Sequence, residues 1–275
     1  MVHNLFYSPR VEMQDFFNHN IFFDEYITGN RFIDICEKKD IAFCKTDNIE
    51  EYTDTDQKFF VTHNSDYHID ANRFNLRPKS LKIWYAQNKD FESDLLRGIP
   101  IGLENMSLRV NSTSQFGRFS SEPPHGADKA AYISNLAHEN KKSDKLVYLN
   151  INPNTYPSER IPVLNFFARK NWVTFEAGLD WKDYYKQIAS HKFVFSPRGN
   201  GTDCHRTWEA LYLRTIPIVK KSKAMNEFKN LPILFIDNWD VVTYDFLCEK
   251  YEEMSSKLFD LSEMKMSFWD ELIQK

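Results

Sequence analysis

Glycine is scarce in this chain, eight residues in 275, and eleven prolines and four cysteines are nearly as thinly spread. So little glycine excludes collagen-like and low-complexity architectures, and it gives weight to any place where two glycines stand together. Cys36, Cys44, Cys204 and Cys248 form no C-x-x-C pair, so no zinc or redox motif is spelled. They are expected as small buried apolar residues in a reducing compartment. A basic excess is lacking too. Thirty-five Lys and Arg against 39 Asp and Glu leave a net charge of −4, the wrong sign for a dedicated nucleic-acid binder. Apolar runs such as LFYS and ILFI fall far short of a bilayer span, and MVHNLFYSPRVEMQDFF shows no basic-then-apolar leader. The expectation is a soluble cytoplasmic protein without an integral membrane segment; nothing in the sequence speaks to its oligomeric state.

Hydrophobic residues make up 42% of the chain, charged residues 27% and aromatics 15%. That supports the cores of one large or two ordinary domains and excludes global disorder. The second half is the more regular. LVYLNI from Leu146, WVTF from Trp172, KFVFS from Lys192, IPIV from Ile216 and ILFI from Ile233 are predicted strands. Between them SERIPVLNFFARK, with Ser158 as N-cap and Pro162 in the first turn, KDYYKQIAS and DCHRTWEALYL are predicted helices. This alternation implies βαβ units and a parallel sheet. In the first half RFIDIC, IAFC, KFFVTH and LKIWYA are predicted strands. NSTSQFGRFSSEPPHGADKAA is expected as a linker or loop at a domain border. Leu247, Tyr251, Met254, Leu258 and Leu261 recur at helical spacing and predict one long terminal helix. Nine acids against four bases over 240–275 mark its solvated face.

The chemistry concentrates in KFVFSPRGNGTDCHRTWEALYLRTIPIV, residues 192–219. A buried strand runs into Ser196-Pro197-Arg198-Gly199-Asn200-Gly201 and then into a helix whose start is marked by Thr202 or Asp203. A glycine loop in that position lets backbone N–H groups approach an anion, and the helix dipole favours it. Arg198 and Arg206 can grip a diphosphate bidentately, and His205 adds a donor on the first turn. Glu209, beside Trp208, can accept hydrogen bonds from two vicinal ribose hydroxyls. Residues 191–230 carry eight Lys or Arg and three acids, a local +5 in a chain of net −4, which suits a nucleotide diphosphate. The pattern is neither G-x-G-x-x-G nor a P-loop.

The run SPRGNGTDCHRTWEALYL followed by IPIV resembles the donor-site signature of exostosin-like glycosyltransferases. KFFVTHNSDYHID, KIWYAQN, GIPIGLEN, LVYLNINPNTYPSER and LPILFIDNWDVVT follow in an order similar to compact members from bacteria and large DNA viruses. The resemblance extends from about Phe59 to Val242 and leaves out the first fifty or so residues and the tail. It implies an α/β fold of GT-B type, two facing Rossmann-like domains with a C-terminal helix packing across both. An acceptor-binding domain would span 1–140, a nucleotide-sugar-binding domain 141–245 and a helical tail 246–275.

The activity implied is that of an inverting, metal-independent hexosyl- or pentosyltransferase. It would move a sugar from a UDP-sugar donor to a hydroxyl of a glycan acceptor, with no cofactor, and the small viral-type relatives favour a pentose such as xylose. The donor-binding set is then Ser196, Arg198, Gly199, Asn200, Gly201, Thr202, His205, Arg206 and Glu209. Arg198 to Gly201 would face the diphosphate and sugar, Arg206 would stabilise the leaving phosphate, and Glu209 would hold the ribose. Arg214 departs from the family, which usually carries glycine there. Inversion needs a base for the acceptor hydroxyl, expected from the opposite domain. Asp66 in the THNSD turn is the first candidate, followed by Glu104 in IGLEN and by His63.

Other readings were set beside this one. Asp54-Thr55-Asp56 spells the D-x-D of metal-dependent GT-A transferases, but it precedes the strand KFFVTH instead of ending one. A non-catalytic nucleotide-sugar or glycan-binding protein would keep the cradle and lack the base. A phosphotransferase is disfavoured by the missing Walker lysine. Cys204 and His205, adjacent on a helix, diverge by about 100° and cannot pair as nucleophile and base. Trp84, Tyr85, Trp181 and Trp208 are candidates to line a sugar or uracil site. The sequons at Asn111 and Asn200 are expected to be unused.

Overall fold

Short runs of β-branched and aromatic residues, apolar on both faces, build two parallel sheets. A computed structural model describes residues 21, 23–105, 126–139 and 145–273. The first sheet has the order β1–β2–β3–β4, Ala42–Lys45, Phe59–His63, Ile83–Ala86 and Leu96–Gly98. Its register sets Phe60 beside Trp84 and Val61 beside Tyr85. The second has the order β6–β5–β7–β8–β9, where β5 is Lys145–Leu149, β6 Val173–Phe175, β7 His191–Phe195, β8 Ile216–Lys220 and β9 Leu234–Ile236. Every strand neighbour is parallel, so every connection within a sheet is a crossover. Helices supply most of them: α2 (Ala71–Asn75) in the first half, and α4 (Pro157–Phe167), α5 (Trp181–Ala189), α6 (His205–Tyr212) and α7 (Lys223–Asn226) in the second, while α1 (Gly29–Lys39) precedes β1. α3 (Gly126–His138), which precedes the second sheet, packs on α5 and α6.

Strand order in the second sheet reverses between β5 and β7. The chain leaves β5 toward β6 on one side, returns to β7 on the other, and continues outward. At such a reversal the loops leaving the carboxyl ends of the two central strands diverge and open a crevice.

Several sequence expectations require correction. RFIDIC belongs to α1. Its apolar residues fit a two-residue alternation and an i, i+3, i+4 spacing equally well, and packing selects the helix, burying Phe32, Ile35 and Cys36. The helix stops at Asp40, φ 53°, whose N–H returns to the Cys36 and Glu37 carbonyls. The fourth strand of the first sheet is instead Leu96–Gly98, too short to show a period. α4 starts two residues earlier than predicted, with Tyr156 as N-cap, so Ser158 caps nothing and Pro162 stands inside the helix. The predicted long terminal helix is two: α8 (Tyr244–Ser255) and α9 (Met266–Leu272). α8 ends because the Ser255 and Ser256 hydroxyls turn back onto the Glu252 and Glu253 carbonyls, at 3.1 and 2.8 Å. Leu258, expected on its buried stripe, is 94% exposed.

The tail still joins the two halves. On α9, Trp269 meets Phe32 edge-on at 6.3 Å and Phe228 at 6.4 Å, and Asp270 pairs with Lys38 at 3.0 Å. The Tyr85 hydroxyl donates to the Leu272 carbonyl at 3.1 Å. One hydrophobic cluster runs through both sheets, with Val61 and Tyr85 from the first and Val147, Phe193 and Ile218 from the second. The other face of the first sheet holds its own cluster around Phe60, Phe74 and Trp84. All four cysteines are free; Cys36 and Cys44 are buried as expected, whereas Cys204 and Cys248 are partly exposed. Most of the Ser-, Pro- and Gly-rich connector, including the Asn111 sequon, lies outside the described residues. Among the described residues no helix is long and apolar enough to cross a membrane.

Arg214 occupies the left-handed region, φ 61°. It follows α6, and the Thr215 and Arg214 N–H groups return to the Ala210 and Leu211 carbonyls at 2.9 and 3.1 Å, a Schellman closure. Glycine is the residue such a position favours, so arginine leaves the turn intact and strains it. Arg214→Gly should therefore be more stable than Arg214→Ala by about 1 kcal/mol, because both lose the side chain and only glycine relieves the backbone. Urea unfolding of the two variants checks this; equal midpoints would reject the strain.

Candidate active site at the switch point

β7 delivers the chain to Ser196, whose hydroxyl pairs with Thr207 Oγ1 at 2.9 Å and locks the strand end to α6. The loop then runs across the crevice and enters α6 at Cys204. Neither Thr202 nor Asp203 caps that helix. The Asp203 carboxylate turns inward, accepting the Trp208 indole N–H at 2.9 Å and the Ile101 N–H at 2.7 Å. Burial pushes its pKa up to about 6 against those donors. Asp203 thus ties the loop to the segment after β4. Gly201 lies against Asn88, where an added Cβ would sit 2.8 Å from Asn88 Nδ2, so glycine is required for this approach. The loop is therefore clamped to the first half as firmly as to its own sheet.

Beside the loop lies a cavity of about 430 Å³, within the usual range for small-ligand pockets. From the predicted donor set, Gly199, Asn200, Gly201, His205, Arg206 and Glu209 line it. Ser196, Arg198 and Thr202 do not. Arg198 folds back so that its guanidinium lies 4.2 Å from the Tyr156 ring centre and donates to the Asn200 carbonyl at 2.8 Å. Thr202 Oγ1 meets His68 Nε2 at 2.7 Å, and Arg198 Nη2 lies 3.0 Å from the same nitrogen. His68 is pushed below its ordinary pKa by burial and then by the Arg198 charge, which leaves a neutral ring to accept from the guanidinium. His205 Nδ1 contacts the Gly102 carbonyl at 2.8 Å.

Glu209 sits on the cavity wall with both oxygens held. Tyr185 donates to Oε1 at 2.9 Å and Tyr184 to Oε2 at 3.2 Å. The Arg206 charge stands close enough to act on the Tyr184 hydroxyl, so guanidinium, phenol and carboxylate neighbour one another. Burial raises both phenol pKa values, first among the causes, so they remain donors. A carboxylate has about four acceptor positions, and two remain open for a ligand diol. Arg206 Nε is buried without a partner. Arg160, 6% exposed, enters from α4, and its guanidinium also borders the cavity. Among the described residues the ion pairs all use lysine as the cation, so neither Arg160 nor Arg206 is matched to a carboxylate.

The three base candidates separate. Asp66 lines the cavity from the first half, and Asn200 Nδ2 donates to its Oδ2 at 3.3 Å. Glu104 is held in an ion pair by Lys129, which itself reaches the cavity wall. His63 is buried away from it, between Asn64 and the Pro100 carbonyl at 2.9 Å, and desolvation lowers its pKa to about 4. Of the aromatic candidates only Trp181 lines the cavity; Trp84, Tyr85 and Trp208 are core residues. Asp54 and Asp56 lie in the turn before β2, at the opposite sheet edge from the carboxyl ends that deliver Asp66 and Gly199. Among the described residues no group of three or more His, Cys, Asp or Glu converges.

No family model matches this chain, and no curated protein does. Function must therefore come from the site's own chemistry.

That chemistry includes residues passed over in the sequence. Arg160 and His68 stand inside segments quoted for the resemblance, and Tyr184 and Tyr185 inside a predicted helix, but no residue pattern assigns any of them a role. The position of Arg160 on the first turn and a half after β5 becomes meaningful only when β5 is known to lie beside β7.

Proposed function

We propose that the protein is a glycosyltransferase of GT-B type. Its cavity would bind a nucleoside diphosphate sugar between a first Rossmann-like domain ending near residue 140 and a second that continues to about 245. One observation carries this reading. Two carboxylate-free guanidiniums, a glycine loop and the N-terminus of α6 converge on one cavity at the switch point of a parallel sheet. Three residues along α6 from Arg206, Glu209 is pre-oriented by two tyrosines. That arrangement fits a diphosphate next to a ribose, with Trp181 as a flat surface for the base.

The reaction follows from the placement of charge. As the bond from the anomeric carbon to the diphosphate breaks, negative charge grows on the leaving oxygens. Arg206 and the loop N–H groups stabilise it without reorganising. Asp66, on the facing wall, takes the proton of the attacking hydroxyl, so attack and departure occur on opposite faces and the anomeric centre inverts. Every charge this scheme needs is supplied by protein groups. UDP is the preferred nucleotide, a pentose such as xylose the preferred sugar, and a glycan hydroxyl the acceptor.

A thermal-shift screen over UDP, GDP, UDP-xylose, UDP-glucose and UDP-N-acetylglucosamine tests the reading, with turnover followed as released UDP in EDTA. UDP ligands should raise the melting temperature, and EDTA should leave turnover unchanged. No shift with any nucleotide would refute the donor site. Binding without turnover across sugars and acceptors would favour the non-catalytic alternative.

A further inference from the structure

Arg160 has more to do than its place on α4 suggests. Its guanidinium spans the crevice between the two strands where sheet order reverses. On the β5 side Nη1 donates to the Asn152 carbonyl at 3.0 Å and to Thr155 Oγ1. On the β7 side Nε donates to the Arg198 carbonyl at 2.8 Å and Nη2 reaches the Pro197 carbonyl at 3.4 Å. All four acceptors are uncharged, although the side chain is 6% exposed and a like charge, Arg206, stands close enough to depress its pKa after burial has done so. Burying a guanidinium among neutral acceptors is unfavourable until an anion arrives. A purely structural tie between two loops could be made by a neutral amide. A cation there stabilises the loop and meets an anion with the same group.

The geometry points to Arg160 as the positioning residue of the anion cradle: it takes up the Pro197 and Arg198 carbonyls, which would otherwise repel an anion, while Cys204 Sγ holds the Gly199 N–H at 3.0 Å. The fork is essential to this role, because one planar group must serve two loops at once. Lysine keeps the charge and cannot reach both sides. The space beside it is matched to glycine: a Cβ on Gly199 would lie 3.2 Å from Arg160 Nη2. The inference rests on the proposed donor site but concerns only its anion-binding half.

Arg160→Lys, with Thr155→Val as a milder variant in case the first fails to fold, separates the possibilities. Pyrophosphate, UDP and uridine are titrated against each by calorimetry or ligand-observed NMR. Arg160→Lys should bind pyrophosphate and UDP at least tenfold more weakly, and Thr155→Val about threefold more weakly. Uridine, which lacks the anion, should change by less than about twofold. Pyrophosphate affinity at the wild-type level in both variants would overturn the assignment, and so would a parallel loss of uridine, which signals general distortion. If wild type binds pyrophosphate and not UDP, the nucleotide reading falls and Arg160 is judged on pyrophosphate alone. If wild type binds neither, both fall.

Discussion

Arg206→Ala should lose nearly all response to UDP while unfolding within about 5 °C of wild type. Arg206 lines the cavity, belongs to the first turn of α6, and has a buried Nε without a partner. Charge-assisted hydrogen bonds contribute about 1.5–3 kcal/mol each. Losing a two-pronged contact, less what water recovers at the vacated site, removes about 2–4 kcal/mol of binding. That is roughly a 30- to 1,000-fold loss of affinity. Folding is affected far less, because Glu209 keeps both tyrosine donors when Arg206 is removed. Arg206→Lys should fall between, retaining charge without the fork. The measurement is UDP affinity by calorimetry alongside melting temperature. An Arg206→Ala protein that binds UDP like wild type would place the diphosphate elsewhere, and one that fails to fold would show the residue to be structural.

Much of this site could be read before any coordinates, and the reasons are physical. Buried parallel strands are short unbroken apolar runs, so KFVFS and IPIV declared themselves, and a glycine pair between strand and helix has few uses. Thus Gly199, Asn200, Gly201, His205, Arg206 and Glu209 group together from sequence alone, and the structure brings them to one cavity. What failed was side-chain direction. Arg198 looks as well suited to a phosphate as Arg206, yet it sits on the loop, where it reaches Tyr156 and His68 instead. Asp203 looks like an N-cap, but a buried indole N–H and a backbone N–H across the interface claim its carboxylate. RFIDIC satisfied two periods in six residues, and only its packing against the first sheet distinguishes them. Arg160 was invisible for another reason. Its role depends on β5 lying next to β7, and strand order is written in no local pattern.

Asp66→Asn should reduce turnover by about 10²- to 10⁴-fold, the usual contribution of a positioned general base, while leaving UDP affinity within about twofold. The substitution keeps the size of the side chain and an oxygen that can still accept from Asn200, so the loop contact survives. Only the capacity to take a proton is lost. The rival bases differ in what surrounds them. Glu104 is held in an ion pair by Lys129, so its carboxylate is already engaged. His63 is enclosed between Asn64 and Pro100 with its pKa lowered to about 4, and cannot reach a substrate hydroxyl. Asp66 alone of the three lines the cavity, with its carboxylate directed at the loop. Because the acceptor is defined only as a hydroxyl, slow hydrolysis of the donor provides the assay, with water as the group that must lose its proton. UDP release from UDP-xylose and UDP-glucose would be compared for wild type, Asp66→Asn and Glu104→Gln. Collapse in Asp66→Asn with near-normal rates in Glu104→Gln is the expected pattern. The reverse pattern would move the base to Glu104 and require Lys129 to swing away during the reaction, a motion that Lys129→Ala would then make unnecessary.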